Sequence, residues 1–227
     1  MLCMHPNTLK FGSILIMKKA TLEKRIAELS KFLTSERSKT ALETLRDELS
    51  SYQETDNKDS TTLTSKFEVP KEILGDATGL AVYTDGACRG NPGPGSYGYL
   101  IQNSAGEILG TGSDISNPTT NNKMELMAVI AGLEDIEATM TFFGVIHVYS
   151  DSKYVVDGMN SWVAGWKKRG WKKADKKVPE NIELWQRLDK ICLKLTPKFN
   201  WVKGHAGHPQ NEYVDQLANI ALDESGF

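Results

Sequence analysis

From Thr21 to Tyr52 the apolar residues recur every three or four positions: Leu22, Ile26, Leu29 and Leu33, then Leu42, Leu45 and Leu49, with Glu, Lys, Arg and Ser between them. That period predicts helix. The register breaks around residues 35–39, so a helical hairpin fits as well as one continuous coiled-coil helix. Residues 53–66 read QETDNKDSTTLTSK, with almost no apolar side chain to offset the entropy of ordering them. They predict a flexible linker, extended here to residue 79. The chain therefore divides into an N-terminal helical extension (1–52), a linker (53–79) and a folded domain (80–227).

Beyond Gly79 the pattern changes to β-branched and aromatic runs separated by turn residues. Leu80–Thr84, Tyr97–Asn103 and Glu107–Gly112 read as strands, the last two joined by the turn Asn103-Ser104-Ala105-Gly106. Asn121–Met140 reads as a helix capped by Thr120 or Asn121, with Leu126, Val129, Ile130, Leu133 and Ile136 as its buried stripe. Gly144–Ser150 and Lys198–Lys203 read as two further strands, and Ser152–Met159, Asn181–Leu195 and Asn211–Leu222 as three more helices. A meander followed by helix, strand, helices, strand and helix predicts an α/β fold, a mixed sheet with helices on its faces.

Composition narrows the function. The chain is 40% hydrophobic and 25% charged, and no run approaches the roughly 20 apolar residues of a spanning helix, so no membrane role is expected. Residues 1–22 contain no acid, which leaves a weak targeting reading open, and Met17 is an alternative start. Cys3, Cys88 and Cys192 are odd in number and widely spaced, which points to a reducing compartment, the cytoplasm, and offers no zinc pair. With 27 Lys and Arg against 29 Asp and Glu, any attraction for a polyanion must be local.

Such a local site exists. Trp162–Lys177 carries seven basic residues, Lys167, Lys168, Arg169, Lys172, Lys173, Lys176 and Lys177, against Asp175 alone, with Trp162, Trp166 and Trp171 interleaved. This is the footprint of a nucleic-acid contact, although the tryptophans equally suit core packing.

Asp85 closes the strand LAVYTD and Asp151 closes GVIHVYSD, at the edge where α/β sheets collect ligands. Glu125 interrupts the apolar helical run MELMAVIAGL, and Asp215 lies between Val214 and Leu217 on the last helix. Each alone is an ordinary capping or solvated acid. If the first and fourth strands are parallel neighbours, the acids converge and their mutual repulsion calls for a cation. Oxygen-only ligands favour Mg²⁺ or Mn²⁺, and two such ions about 4 Å apart can drive phosphodiester displacement. The Gly-punctuated run Lys203–Pro209 precedes the helix of Asp215; His205 or His208 there can move protons or ligate metal. His5 and His147 read as structural.

The stretches YTDGACRGNPGPGSYG, TTNNKMELMA, YSDSKYV, WKKRGWKKADKK, LWQRLD and WVKGHAGHPQNEYVDQLA together resemble bacterial-type ribonuclease H, type I, from about Leu80 to Leu222. The resemblance implies a five-stranded mixed sheet and an endonuclease that cuts the RNA strand of RNA·DNA hybrids by a two-metal-ion mechanism, leaving 5′-phosphate and 3′-hydroxyl ends. By that likeness Asp85, Glu125, Asp151 and Asp215 bind two Mg²⁺ ions, for which Mn²⁺ can substitute, and His205 assists leaving-group protonation or product release. Cys88, Asn91 and Asn122 contact the hybrid near its 2′-hydroxyls or minor-groove edges. Thr120 and Asn181 hold a DNA-strand phosphate, and Trp162, Trp166, Lys167, Lys168, Arg169, Trp171 and Lys172 belong to a substrate-binding protrusion. Lys153 replaces a frequent Gln, and Pro118 stands where a basic residue often supports the phosphate pocket. The competing classes are a non-catalytic hybrid-binding module and a DNA-directed nuclease of the same fold.

The resemblance does not reach the N-terminal third. Residues 1–79 carry twelve basic and twelve acidic side chains, so they have no net field for nucleic acid. Their apolar stripes need a partner surface, which self-association between chains or docking on the catalytic domain would supply.

Overall fold

In a computed structural model, which describes residues 67–139 and 144–227 together with Glu43, the first strand, Leu80–Cys88 (β1), sends its side chains alternately to two cores. Leu80 and Val82 enter one core, Ala81 and Tyr83 the other, as the twofold period of a strand requires. β1 is followed by Gly93–Asn103 (β2), Ile108–Thr119 (β3), the helix Asn121–Thr139 (α1) and Ile146–Ser150 (β4). Lys153–Asp157 (α2) runs through a π-helical turn, Gly158–Trp162, into Val163–Lys168 (α3). Ile182–Leu195 (α4), Lys198–Trp201 (β5) and Pro209–Glu224 (α5) complete the chain.

The strands form one five-stranded sheet in the order β3-β2-β1-β4-β5. β1 pairs antiparallel with β2 and parallel with β4, and β4 pairs parallel with β5, so the sheet is mixed. The larger core joins Val82, Ile101 and Val148 to Leu126, Val129, Ile130 and Leu133 of α1 and to the fully buried Trp185 of α4. The smaller core, on the other side, joins Ala81, Tyr83, Leu100 and Tyr149 to Val214 of α5.

Several elements run longer than the sequence pattern predicts, β1 among them, which reaches Cys88 rather than ending at Thr84. β2 begins at Gly93 rather than Tyr97, and β3 extends to Thr119, because Ser113–Ser116, polar apart from Ile115, forms the exposed outer part of an edge strand. The helix expected over Ser152–Met159 continues to Lys168 through the π-helical turn, where Gly158 lies so close to Trp185 that a Cβ would come within 2.1 Å of the indole. β5, in contrast, ends at Trp201.

The expected N-terminal helices and residues 53–66 of the expected linker lie outside the described residues, except for Glu43, which is helical and exposed. Residues 67–79 are packed rather than free. Ile73 is fully buried, Phe67 and Val69 join the smaller core, and Gly79 sits against the Ile73 side chain. Among the described residues no helix is long and apolar enough to cross a membrane.

Candidate active site

The register of β1 against β4 brings the first two acids together. Thr84 pairs with Ser150, the last pair of the parallel ladder, so Asp85 and Asp151 follow it side by side, while β1 runs on to Cys88 in its pairing with β2. Their parity matches Tyr83 and Tyr149, which face the smaller core and α5. Glu125 comes from the opposite side on α1. Its approach depends on Gly86, where a Cβ would lie 2.4 Å from the Glu125 amide nitrogen and 2.6 Å from the Met124 carbonyl carbon. Only a residue without a side chain lets the helix backbone come this close.

Asp85, Glu125 and Asp151 each offer an oxygen within 4.8 Å of the others'. Asp85 and Glu125 are buried, while Asp151 is half-buried. Burial, with the charges of Asp151 and Asp215 added, pushes the Asp85 carboxyl up to about 8, against the pull of the Gly86 N–H donated to Oδ1 at 2.8 Å. Burial likewise lifts Glu125 well above the usual carboxylate range, reinforced by Asp85 and Asp151. Asn121 donates through Nδ2 to Glu125 Oε1 at 3.3 Å, whereas Glu125 Oε2 is buried without a hydrogen-bond partner. Asp215 reaches Asp85 from α5, and Asn219, one turn later, donates through Nδ2 to Asp215 Oδ1 at 2.9 Å. A buried carboxylate group with an orphaned oxygen, held by hard oxygen donors only, suits a divalent cation. The residues present fit such an ion.

The histidine loop closes one side of this group. A Cβ at Gly204 would lie 2.3 Å from Asp151 Oδ2, so the loop backbone rests on that carboxylate, with His205 next in the chain, exposed and at φ +50°. His208 is the exposed cap residue of α5. Among the described residues the metal-competent group is Asp85, Glu125 and Asp151; neither histidine belongs to it, and Asp215 adjoins it through Asp85. His147 is buried, its Nδ1 3.1 Å from Asn200 Nδ2, as a structural histidine would be.

Cys88 and Asn91 meet the start of α1, where Thr120 precedes the helix and the exposed Asn122 is its second residue. Cys88 Sγ lies 3.1 Å from Gly90 O and 3.6 Å from Thr119 O, and Asn91 Oδ1 accepts from the Asn121 amide at 3.2 Å. Asn181, in left-handed conformation at φ +56°, shares a cleft with Thr119, Lys123 and Met124. Lys123, inside the stretch TTNNKMELMA, is a lining residue that the sequence pattern does not single out, and it is Thr119 rather than Thr120 that lines this cleft.

The basic stretch forms a separate cleft, lined among others by Tyr154, Trp162, Trp166, Arg169 and Lys173. The tryptophans divide between the two roles open in the sequence. Trp166 is 8% exposed and packs on Trp185 at 5.6 Å between ring centroids, whereas Trp162 is 37% exposed. Trp171 is half-buried against the larger core. Lys168, Arg169 and Lys172 are exposed, but Lys167 is paired with Asp189 at 2.8 Å, a partner 22 residues away. Lys153 lies over the Trp201 ring, 5.0 Å from its centroid, and Trp201 Nε1 donates to the Asp151 carbonyl at 3.0 Å.

Comparison with known proteins agrees with this geometry. The RNase H family model matches residues 77–223. A ribonuclease H of Pectobacterium carotovorum is 49% identical over 154 residues, covering 65% of this chain and 96% of its own length. One from Bradyrhizobium diazoefficiens is 48% identical over 143 residues, covering 63% of this chain and 89% of its own. Among solved structures, LC9-RNase H1, a type 1 RNase H with the type 2 active-site motif, is 36% identical with a TM-score of 0.58, covering 69% of this chain and 75% of its own. LC11-RNase H1 in complex with RNA/DNA hybrid is 28% identical with a TM-score of 0.53, covering 65% and 99%.

Proposed function

Because the chain belongs to the ribonuclease H family and is an endoribonuclease acting on the RNA strand of RNA·DNA hybrids, we propose that Asp85, Glu125, Asp151 and Asp215 are its catalytic acids and hold two Mg²⁺ ions, which Mn²⁺ can replace. The observation that carries this assignment is the buried carboxylate group with its orphaned Glu125 oxygen. Divalent cations bound there supply the charge that makes water a nucleophile near neutral pH and stabilises a departing oxygen. The protein's part is to fix the acids. Gly86 N–H orients Asp85, Asn121 orients Glu125, and Asn219 orients Asp215. His205 moves a proton toward the leaving oxygen or eases product departure, and the ends formed are 5′-phosphate and 3′-hydroxyl.

Cys88, Asn91 and Asn122 contact the hybrid beside the acids, where a 2′-hydroxyl distinguishes RNA from DNA. Thr120, Asn181 and Lys123 hold a phosphate of the DNA strand, and Lys153 neutralises charge next to Asp151. Trp162, Lys168, Arg169 and Lys172 are the contacting part of the substrate-binding protrusion, with Trp166 and Trp171 anchoring it to the larger core and Lys167 paired with Asp189. We also assign the chain to the cytoplasm, supported by its free Cys88 and Cys192, and residues 1–52 to self-association, supported by their apolar stripes. Cleavage of matched RNA·DNA, RNA·RNA and DNA·DNA duplexes with Mg²⁺ tests the reading: only the hybrid should be cut, and only in its RNA strand. Binding without cleavage would make the protein a hybrid-binding module, and cutting of DNA·DNA would make it a DNA nuclease.

His205→Ala should leave a slower but live enzyme, with kcat reduced about a hundredfold, the lower end of what a positioned proton carrier contributes. Cation affinity, followed by calorimetry, should not change; its loss would make His205 a ligand. Replacing Lys168, Lys172 and Lys173 with Ala should raise KM and flatten the dependence of log KM on log salt by about 0.9 for each phosphate no longer neutralised, with kcat unchanged. Lys167 is spared because Asp189 already neutralises it. An unaltered salt slope would show a solvated surface instead.

A further inference from the structure

Two buried glutamines tie the stretch before the family-matched region to the helix that follows the histidine loop. Gln102 on β2 donates through Nε2 to the Phe67 carbonyl at 3.0 Å, and Gln210, the second residue of α5, donates through Nε2 to the Glu68 carbonyl at 2.7 Å. The two amides face each other, with Gln210 Nε2 3.4 Å from Gln102 Oε1. The Phe67 ring packs on Tyr213 of α5 at 5.9 Å between centroids. Farther along, Tyr149, two residues before Asp151, donates its hydroxyl to Glu72 Oε2 at 2.9 Å.

A buried amide must spend its donors on something, and here residues 67–68 provide the carbonyls. Gln210 therefore fixes where the first turn of α5 can sit. That turn is the downstream anchor of the histidine loop, since the Glu212 amide donates to the His208 carbonyl at 3.0 Å. The upstream anchor is the Val202 amide, which donates to the Ser150 carbonyl at 3.0 Å, followed by Gly204 against Asp151. Between the anchors, His205 and Gly207 stand at φ +50° and +78°, and residues 205–209 are exposed. The place of His205 is thus set by its two ends.

We propose that residues 67–73 form a strap that positions the His205 loop, with Gln210 as the positioning residue through which it acts. This rests on the role of His205 given above. It assigns to the chain preceding the catalytic domain a task in the reaction, distinct from any association of residues 1–52.

The test is a double-mutant cycle in the full chain. Gln210→Met keeps the volume and the helix while removing the amide, and kcat, KM and melting temperature are measured on the RNA·DNA hybrid with and without His205→Ala. In the wild-type background kcat should fall about fivefold, within the range of coupling for groups sharing one network, with KM unchanged within about twofold. In the His205→Ala background the fall should vanish. Phe67→Ala, which loosens the strap from its own side, should couple to His205 in the same way and serves if the Gln210 variant does not fold. An equal fall in both backgrounds, or a lower melting temperature with no change in kcat, overturns the proposal. The single His205→Ala variant tests the reading beneath it, so the two fail separately.

Discussion

Asp85→Asn is expected to abolish cleavage and, in metal-free solution, to make the protein more stable. The first effect follows from losing a charge that holds the cations, whose contribution of several kcal/mol corresponds to a rate loss of about a thousandfold or more. The second follows from burial. The Asp85 carboxyl is raised from 3.8 to about 8 in the fold. Between those values the folded chain keeps a proton that the unfolded chain has released, so stability falls as pH rises through that interval. An amide has nothing to ionise. The variant should therefore melt at the same temperature as the parent below about pH 4 and several degrees higher above pH 8, a gain on the order of a few kcal/mol. Divalent cation should then stabilise the parent and not the variant. Thermal melts across pH, with and without Mg²⁺, check this; a variant less stable than its parent at pH 8 without metal would contradict it.

Gly86→Ala should act on the same site with the opposite sign in stability. The new Cβ meets backbone atoms of Glu125 and Met124 at 2.4 and 2.6 Å, and no side-chain rotation relieves that contact. Helix α1 must move, at an overpacking cost of about 1–3 kcal/mol. Glu125 moves with it, and a displacement of about 1 Å at a reacting centre costs on the order of a hundredfold in rate. The expected result is a lower melting temperature, weaker Mn²⁺ binding and a kcat reduced by about two orders of magnitude, with KM for the hybrid nearly unchanged, since the basic cleft lies elsewhere. Parental kcat in a folded Gly86→Ala protein would mean that Glu125 is not needed where α1 places it.

The acids at the strand ends are legible in the sequence because a strand has a simple period and a defined edge. Once Leu80–Thr84 and Gly144–Ser150 are strands joined through a helix, Asp85 and Asp151 can stand side by side, and the observed register does bring them there. Glu125 is legible as an anomaly in an apolar run. What brings it in, the close approach at Gly86, has no signature in a single sequence beyond one glycine among many. The strap escapes a sequence reading for a different reason. Phe67, Val69 and Ile73 are too irregularly spaced, with Pro70 between them, to display a helix or strand period, and they follow a polar run that reads as linker. Their burial is purely tertiary, as are the Gln210 and Gln102 hydrogen bonds across 142 and 35 residues. The Lys167–Asp189 pair is of the same kind: composition counts seven basic residues, and only packing shows that Lys167 meets an acid 22 residues away.

The most direct measurement is crystallographic. Crystals of the Asp85→Asn variant with an RNA·DNA hybrid, and of the parent protein with a non-cleavable hybrid, would be soaked in Mn²⁺ and recorded at the manganese edge. Anomalous density among Asp85, Glu125, Asp151 and Asp215 in the parent, diminished or absent in the variant, is the result expected. Density centred instead on His205 and His208, or none at the carboxylates with the hybrid in place, would contradict the assignment of these acids as the metal-holding centre.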